Sequence, residues 1–292
     1  MTAGFPHPEY LVSADWLAAH LADPGLRVFD CTTHLLPEPG QPYRVVSGRA
    51  DFEAAHIPGA QFIDVQEDVS DPDSKLRFMC PTQARFQAAL RRLGVHRGDR
   101  VILYATANFW WASRVWWLLR VFGHDNAAVL DGGLAAWRAA GHTLAAGPAP
   151  APAPGDFVAA PPRPLMADKA DMLVALVDGG VCTLNALTAA QHAGTGGNSY
   201  GRPGHIAGSV NVPAAELVDP ATGRLRPAEA LRAKFAAAGA LDRPVIAYCG
   251  GGIAASGDAL VLTMLGQPEV RVYDASLSEW AMDTELPMAT GR

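Results

Sequence analysis

Four landmarks recur in the same order on either side of a proline-rich stretch, and this repetition restricts the possible folds more than any other feature of the chain. Ahead of the stretch come an apolar run at 26–30, HIPGA at 56–60, VILY at 101–104 and DGGLAAW at 131–137. Behind it come VCTLN at 181–185, HIAGS at 205–209, VIAY at 245–248 and DASLSEW at 274–280. A duplicated domain is expected. The stretch itself, GPAPAPAPGDFVAAPPRP at 147–164, holds proline at a density that helices and central strands reject, because proline lacks the N–H donor and fixes φ. It reads as a linker whose Pro-Ala start favours an extended, semi-rigid spacer. The expected units are therefore residues 1–146, with scaffold character, and residues 165–292, with 147–164 between them. A chain of 292 residues, 49% apolar and 18% charged, is long and apolar enough for two packed cores.

Within each unit short β-rich runs alternate with helix-period stretches at 13–21, 84–93, 228–238 and an amphipathic one at 257–265. That alternation predicts an α/β fold in which each unit is a mostly parallel sheet flanked by helices. Reactive groups in such sheets sit just beyond the carboxyl ends of strands, so the residues after VILY and VIAY are where chemistry is expected.

Other classes are set aside by charge and cysteine usage. The net charge is -6, without a run of like charge, so nucleic acid is not an expected partner. No run of about 18 apolar residues occurs and the start lacks a basic and apolar leader pattern, so a soluble, cytoplasmic protein with no membrane partner is expected. Four cysteines without a CxxC pair suit neither a disulfide scaffold nor a zinc site, so a functional cysteine would act singly and no metal is expected.

After VIAY the chain reads Cys249, Gly250, Gly251, Gly252, Ile253, Ala254, Ala255, Ser256 before the helical stretch. Consecutive glycines let successive N–H groups point inward as an anion cradle, because glycine takes positive φ without a Cβ clash. A cysteine at the mouth of that cradle, close to a helix N-terminus, is set up as a thiolate nucleophile or as the seat of a persulfide. An inert buried thiol in a glycine-rich turn is the competing reading. The matching loop of the first unit, Ala105 to Trp111, has neither the thiol nor the glycines, which assigns chemistry to the second copy. A cysteine phosphatase would need arginine where Ala255 stands.

The chain resembles the rhodanese-like tandem sulfurtransferases, the family of thiosulfate and 3-mercaptopyruvate sulfurtransferases. The resemblance runs through HIPGAQFID and DGGLAAW in the first half and RPGHIAGSVNVP, AYCGGGIAAS and VYDASLSEW in the second. It implies an inactive first domain, an active second domain, and sulfane sulfur relayed as a persulfide. By match to the motif, Cys249 is the nucleophile and Gly250, Gly251, Gly252, Ile253, Ala254 and Ala255 form the sulfur-binding loop. The implied partners are a small-molecule sulfur donor and an acceptor that is a thiol, cyanide or a protein. No metal or organic cofactor is implied. A non-catalytic sulfane-sulfur carrier or thiol redox sensor is the alternative.

Against the family pattern, Gly251 and Ala254 stand where charged or hydroxyl residues are usual, and Leu187 and Gln191 stand where donor-binding arginines are usual. A desolvated anion still needs compensation, and Arg202, His205, Lys75 and Arg77 are the candidate cations. Phe78 replaces a relay histidine, and Cys80 falls in a segment that faces the cleft in the family. Cys31 and Cys182 read as core residues, and the duplicated His56 and His205 as structural. Asp131 and Asp274 read as caps of the turns they precede. Trp110, Trp111, Trp116 and Trp117, at helical spacing, read as packing between the units.

Overall fold

A computed structural model of the chain describes residues 4–197 and 200–291. The first half contains β1 (Leu11–Val12), α1 (Ala14–His20), β2 (Leu26–Asp30), β3 (Thr33–Glu38), β4 (Gln41–Ser47), α2 (Arg49–Ala54), β5 (Gln61–Phe62), α3 (Gln83–Arg92), β6 (Arg100–Tyr104), α4 (Phe109–Val121), β7 (Ala127–Leu130) and α5 (Gly133–Ala139). The second contains β8 (Met166–Ala167), α6 (Lys169–Asp178), β9 (Cys182–Asn185), α7 (Ala189–Ala193), β10 (His205–Ile206), β11 (Val210–Asn211), α8 (Ala228–Ala237), β12 (Val245–Tyr248), α9 (Ile253–Met264), β13 (Val270–Tyr273), α10 (Ser276–Trp280) and β14 (Met288–Ala289).

The two halves have the same sheet. The first is ordered β1-β7-β6-β2-β5 and the second β8-β13-β12-β9-β11, each parallel at every pairing. The repeated histidines show why the motif recurs. His56 Nδ1 bonds the carbonyl of Phe52 and stacks on its ring, while His205 Nδ1 bonds the carbonyl of His192 and stacks on that ring. The following N–H, of Ile57 or Ile206, donates to the hydroxyl of Tyr104 or Tyr248 at the end of the central strand. Both histidines are thus structural, as their duplication implies, and Cys31 and Cys182 are buried in the core.

Three expectations are corrected. The proline-rich stretch is not a spacer standing off from the units: Gly155, Phe157, Ala160 and Arg163 donate backbone bonds to Arg91, Val95, Phe122 and Val121, and the Phe157 ring is buried. It is a strap laid along the first half, because carbonyls at and just beyond the ends of α3 and α4 accept its N–H groups. The helix after the cysteine loop begins at Ile253, earlier than the sequence pattern places it, and it is not amphipathic. Residues 255–265 are all buried, because α9 is covered on its outer side by α4 of the first half. Phe109 and Trp110 press on Gly257, where a Cβ would lie 3.0 Å from the Phe109 ring and 3.4 Å from Trp110 Cβ. Trp111, Trp116 and Trp117 are fully buried; Trp111 meets Phe78 edge-on and Trp116 bonds the Ala127 carbonyl, both contacts within the first half rather than between the units.

The aspartates form the third correction. Asp131 and Asp274 do not cap the helices after them; each reaches across to the other half. Asp131 Oδ1 accepts from the N–H of Leu225 at 2.8 Å, and Asp274 Oδ2 accepts from the N–H of Cys80 at 2.6 Å. Each donating N–H lies just before the helix, α8 or α3, that follows in its own half. The halves therefore dock by exchanging equivalent hydrogen bonds.

Candidate active site

Cys249 follows the last residue of β12, and Gly252 then turns the chain into α9 with φ of 74°, a left-handed conformation that glycine adopts without strain. The loop is held from one side by the start of α10. Leu277 N–H donates to the Cys249 carbonyl at 3.1 Å, and Ser278 donates to the Gly250 carbonyl through its N–H at 2.9 Å and its Oγ at 2.7 Å. In a planar trans peptide the C=O and the following N–H point in opposite directions. Pinning those two carbonyls on α10 therefore turns the N–H groups of Gly250 and Gly251 the other way, into the cleft. Neither N–H has an acceptor among the described residues. The first-turn N–H groups of α9, from Ile253, Ala254 and Ala255, add helix-end donors beside them.

Ser276 locks this arrangement from below. Its Oγ accepts from the N–H groups of Cys249 and Gly252, at 3.0 and 3.2 Å, and donates to the Tyr273 carbonyl at 2.7 Å. Its backbone is left-handed, with φ of 51°, a conformation that costs a non-glycine residue about 1 kcal/mol or more. The three bonds of a fully buried hydroxyl hold it there.

Beneath the loop lies a buried charge pair joining the halves. Arg114 of α4 is wholly buried and its Nη2 sits 2.7 Å from Asp274 Oδ1 and 2.5 Å from the carbonyl of Phe78. A Cβ on Gly252 would lie 2.9 Å from Asp274 Oδ1 and 3.2 Å from Arg114 Nη1, so only glycine lets the loop approach the pair. Phe78 is buried against Trp111, with positive φ, in the position expected for a relay group, and it offers the site only its carbonyl.

The mouth of the site is aromatic. Tyr200 covers Gly250, where a Cβ would lie 2.2 Å from the phenol oxygen, and Tyr43 places its phenol oxygen 3.9 Å from the corresponding point on Gly251. The rings meet edge-on with centroids 6.1 Å apart. Tyr43 is carried by the antiparallel hairpin of β3 and β4, which has no counterpart among the described residues of the second half. A pocket of about 290 Å³ opens next to Tyr200, lined by Leu187, Gln191, Arg202 and Leu277 among others.

The structure therefore brings Cys249 and Gly250 to Ala255 together as one loop. Cys80 is brought to its edge by the Asp274 bond, with its own thiol kept protonated: burial, then the Asp274 charge, push its pKa up to about 12. Arg202 borders the pocket, but its guanidinium donates to the carbonyls of Trp280, Ala281, Asp283 and Leu286 and serves as a clamp on the C-terminal segment. His205 is used in its turn, and its neighbour His192 is held neutral, its pKa lowered to about 4 by burial and by His205. Lys75 and Arg77 are exposed, and the Arg77 carbonyl lies 3.9 Å from the Gly251 Cβ point, so this segment of the first half closes over the cradle.

Tyr43, Tyr200, Arg114, Ser276 and Ser278 are absent from the sequence reading. The Pro-Glu-Pro-Gly turn at 37–40 signals a hairpin, and Ser276 and Ser278 of DASLSEW stand where the first copy has Gly133 and Ala135. Either feature pointed to part of the missing set.

The model of the rhodanese-like domain matches residues 13–140 and 195–283. The chain is 36% identical over 282 residues to the 3-mercaptopyruvate sulfurtransferase of Escherichia coli, covering 96% of this chain and 97% of that one. It is 31% identical over 301 residues to the sulfur carrier protein TtuD of Thermus thermophilus, covering 99% of each. The crystal structure of SseA, a 3-mercaptopyruvate sulfurtransferase from Escherichia coli, superposes with a TM-score of 0.80 at 35% identity, over 91% of this chain and 98% of that one. No helix among the described residues is long and apolar enough to cross a membrane.

Proposed function

The chain belongs to the rhodanese-like family, and from that premise we propose that it is a sulfurtransferase that carries sulfane sulfur as a persulfide on Cys249. Catalysis is assigned to residues 165–292 and the supporting scaffold to residues 1–146. In the first half-reaction the Cys249 thiolate attacks the outer sulfur of a thiosulfate-like or mercaptopyruvate-like donor; the new S–S bond forms as the donor's bond to that sulfur breaks, its electron pair leaving with the donor. In the second, cyanide, a thiol or a protein thiolate attacks the outer sulfur and returns Cys249 as thiolate. Splitting one transfer into two displacements is the gain of covalent catalysis, and both balance without a cofactor.

The observation that carries this reading is the orientation of the loop: two carbonyls pinned on α10 leave the N–H groups of Gly250 and Gly251 unpaired beside the thiol. Such donors stabilise negative charge on sulfur where it develops. Cyanide-dependent thiocyanate release should be lost in Cys249→Ser with the fold retained, since a hydroxyl is far less nucleophilic at neutral pH. Unchanged release would end the assignment.

One observation favours a second reading, a sulfane-sulfur carrier with slow turnover. The pocket next to Tyr200 presents Leu187 and Leu277 and a guanidinium already committed to carbonyls, so its wall offers an anionic donor little compensation.

A further inference from the structure

We propose that the phenol groups of Tyr43 and Tyr200 donate hydrogen bonds to the outer sulfur of the Cys249 persulfide, so that the first half supplies part of the sulfur site directly. The proposal rests on the persulfide reading above and adds the groups that recognise the transferred atom. Tyr200 lies on Gly250 so closely that a Cβ there would be 2.0 Å from its ring carbon Cζ and 2.2 Å from its oxygen. Tyr43 reaches Gly251 from the hairpin of the other half. The two hydroxyls thus lie against the loop that follows Cys249.

Neither hydroxyl has a hydrogen-bond partner among the described residues, although Tyr43 is only 8% exposed and both rings pack on the core. The rings are packed while the hydroxyls open at the mouth of the site, so an incoming acceptor, the terminal sulfur anion, can take their hydrogen bonds. Both groups remain donors at neutral pH. Burial first, then the negative charge of Cys249, raise both phenols, that of Tyr43 to about 12 with Arg77 opposing. The phenols keep their protons throughout: the electron pair of the broken donor bond leaves with the donor, and the new outer sulfur carries the charge they stabilise.

Neutral donors suit a singly charged, polarisable sulfur anion, and they fill the space in which Gly251 and Ala254 carry no side-chain donor. The Tyr43→Phe and Tyr200→Phe variants and the double variant, made in the full chain, keep both rings and remove only the O–H groups. Each is loaded with thiosulfate, the loading rate is measured, and the persulfide is alkylated with iodoacetamide across a pH series. Loading is expected to slow about tenfold per phenol, with the midpoint of alkylation shifted up by about one pH unit. A merely structural role would lower the melting temperature and leave that midpoint in place. Variants that load and alkylate like the parent, with the Cys249 adduct present, overturn the phenol assignment and leave the persulfide reading standing. Should Tyr200→Phe fail to fold, Tyr43→Phe alone decides. A parent chain that takes no sulfur on Cys249 overturns both readings.

Discussion

Asp274 accepts a hydrogen bond from the backbone N–H of Cys80 at 2.6 Å, 194 residues earlier in the chain, while its other oxygen pairs with the buried Arg114. Among the described residues its counterpart Asp131 makes the matching backbone bond, to Leu225, and no ion pair. The two copies of one motif therefore carry different loads. Removing one partner of a buried pair leaves an uncompensated charge, which costs about 3 to 5 kcal/mol, whereas losing a single backbone acceptor costs about 1 to 3 kcal/mol. Asp274→Asn should lower the melting temperature well beyond Asp131→Asn and should also slow sulfur transfer, because Gly252 rests on the pair. Equal melting temperatures for the two variants would show that the Arg114 pair adds nothing to docking.

Asp258 is a buried carboxyl in the second half. It lies within α9 with no exposed surface, and neither of its oxygens has a partner among the described residues. Burial raises its pKa well above the usual carboxylate range, with Lys234 opposing. The folded state thus binds a proton that the unfolded chain, titrating near pH 3.9, releases first. The stability this contributes is complete below about pH 4 and is lost as pH rises through the folded pKa. Asp258→Asn cannot ionise, so its melting temperature should exceed the parent's by several degrees at pH 8, with the gap closing towards pH 4. A gap independent of pH would mean that the carboxyl is not taking up a proton.

The donor pocket makes a third test. Leu187 and Gln191 line the same pocket as Tyr200, where the family resemblance leads one to expect arginines, and Arg202 is occupied with four carbonyls. The chain should therefore be weak with mercaptopyruvate and modest with thiosulfate. A charged hydrogen bond to a buried anion is worth about 1.5 to 3 kcal/mol, so Leu187→Arg should raise kcat/KM for an anionic donor about tenfold or more. Parent activity that is already high on mercaptopyruvate, with no gain in the variant, would place the compensating charge elsewhere.

The parts of this site that repeat were legible in the sequence, and the parts that do not were hidden. Parallel strands ending in VILY and VIAY put the loop at a strand terminus, and the contrast between Ala105 and Cys249 directed attention to the second copy. Tyr43 escaped notice because its hairpin has no counterpart among the described residues of the other copy, so the comparison of halves passes over it. Arg114, and its pairing with Asp274, escaped because the two residues lie in different halves, where local pattern carries no information about proximity. The same blindness made Asp131 and Asp274 look like local caps. Arg202 looked like a free cation, since nothing in sequence reveals that four carbonyls of a distant segment converge on it.

The central claim is that Cys249 carries the sulfur, and intact-protein and peptide mass spectrometry after incubation with thiosulfate, mercaptopyruvate or glutathione persulfide tests it most directly. The account expects an adduct of about 32 Da, one sulfur atom, on the Cys249 peptide, removed on adding cyanide or a thiol and absent from Cys249→Ser. An adduct located on Cys80, or none on Cys249 with any of the three donors, would contradict it.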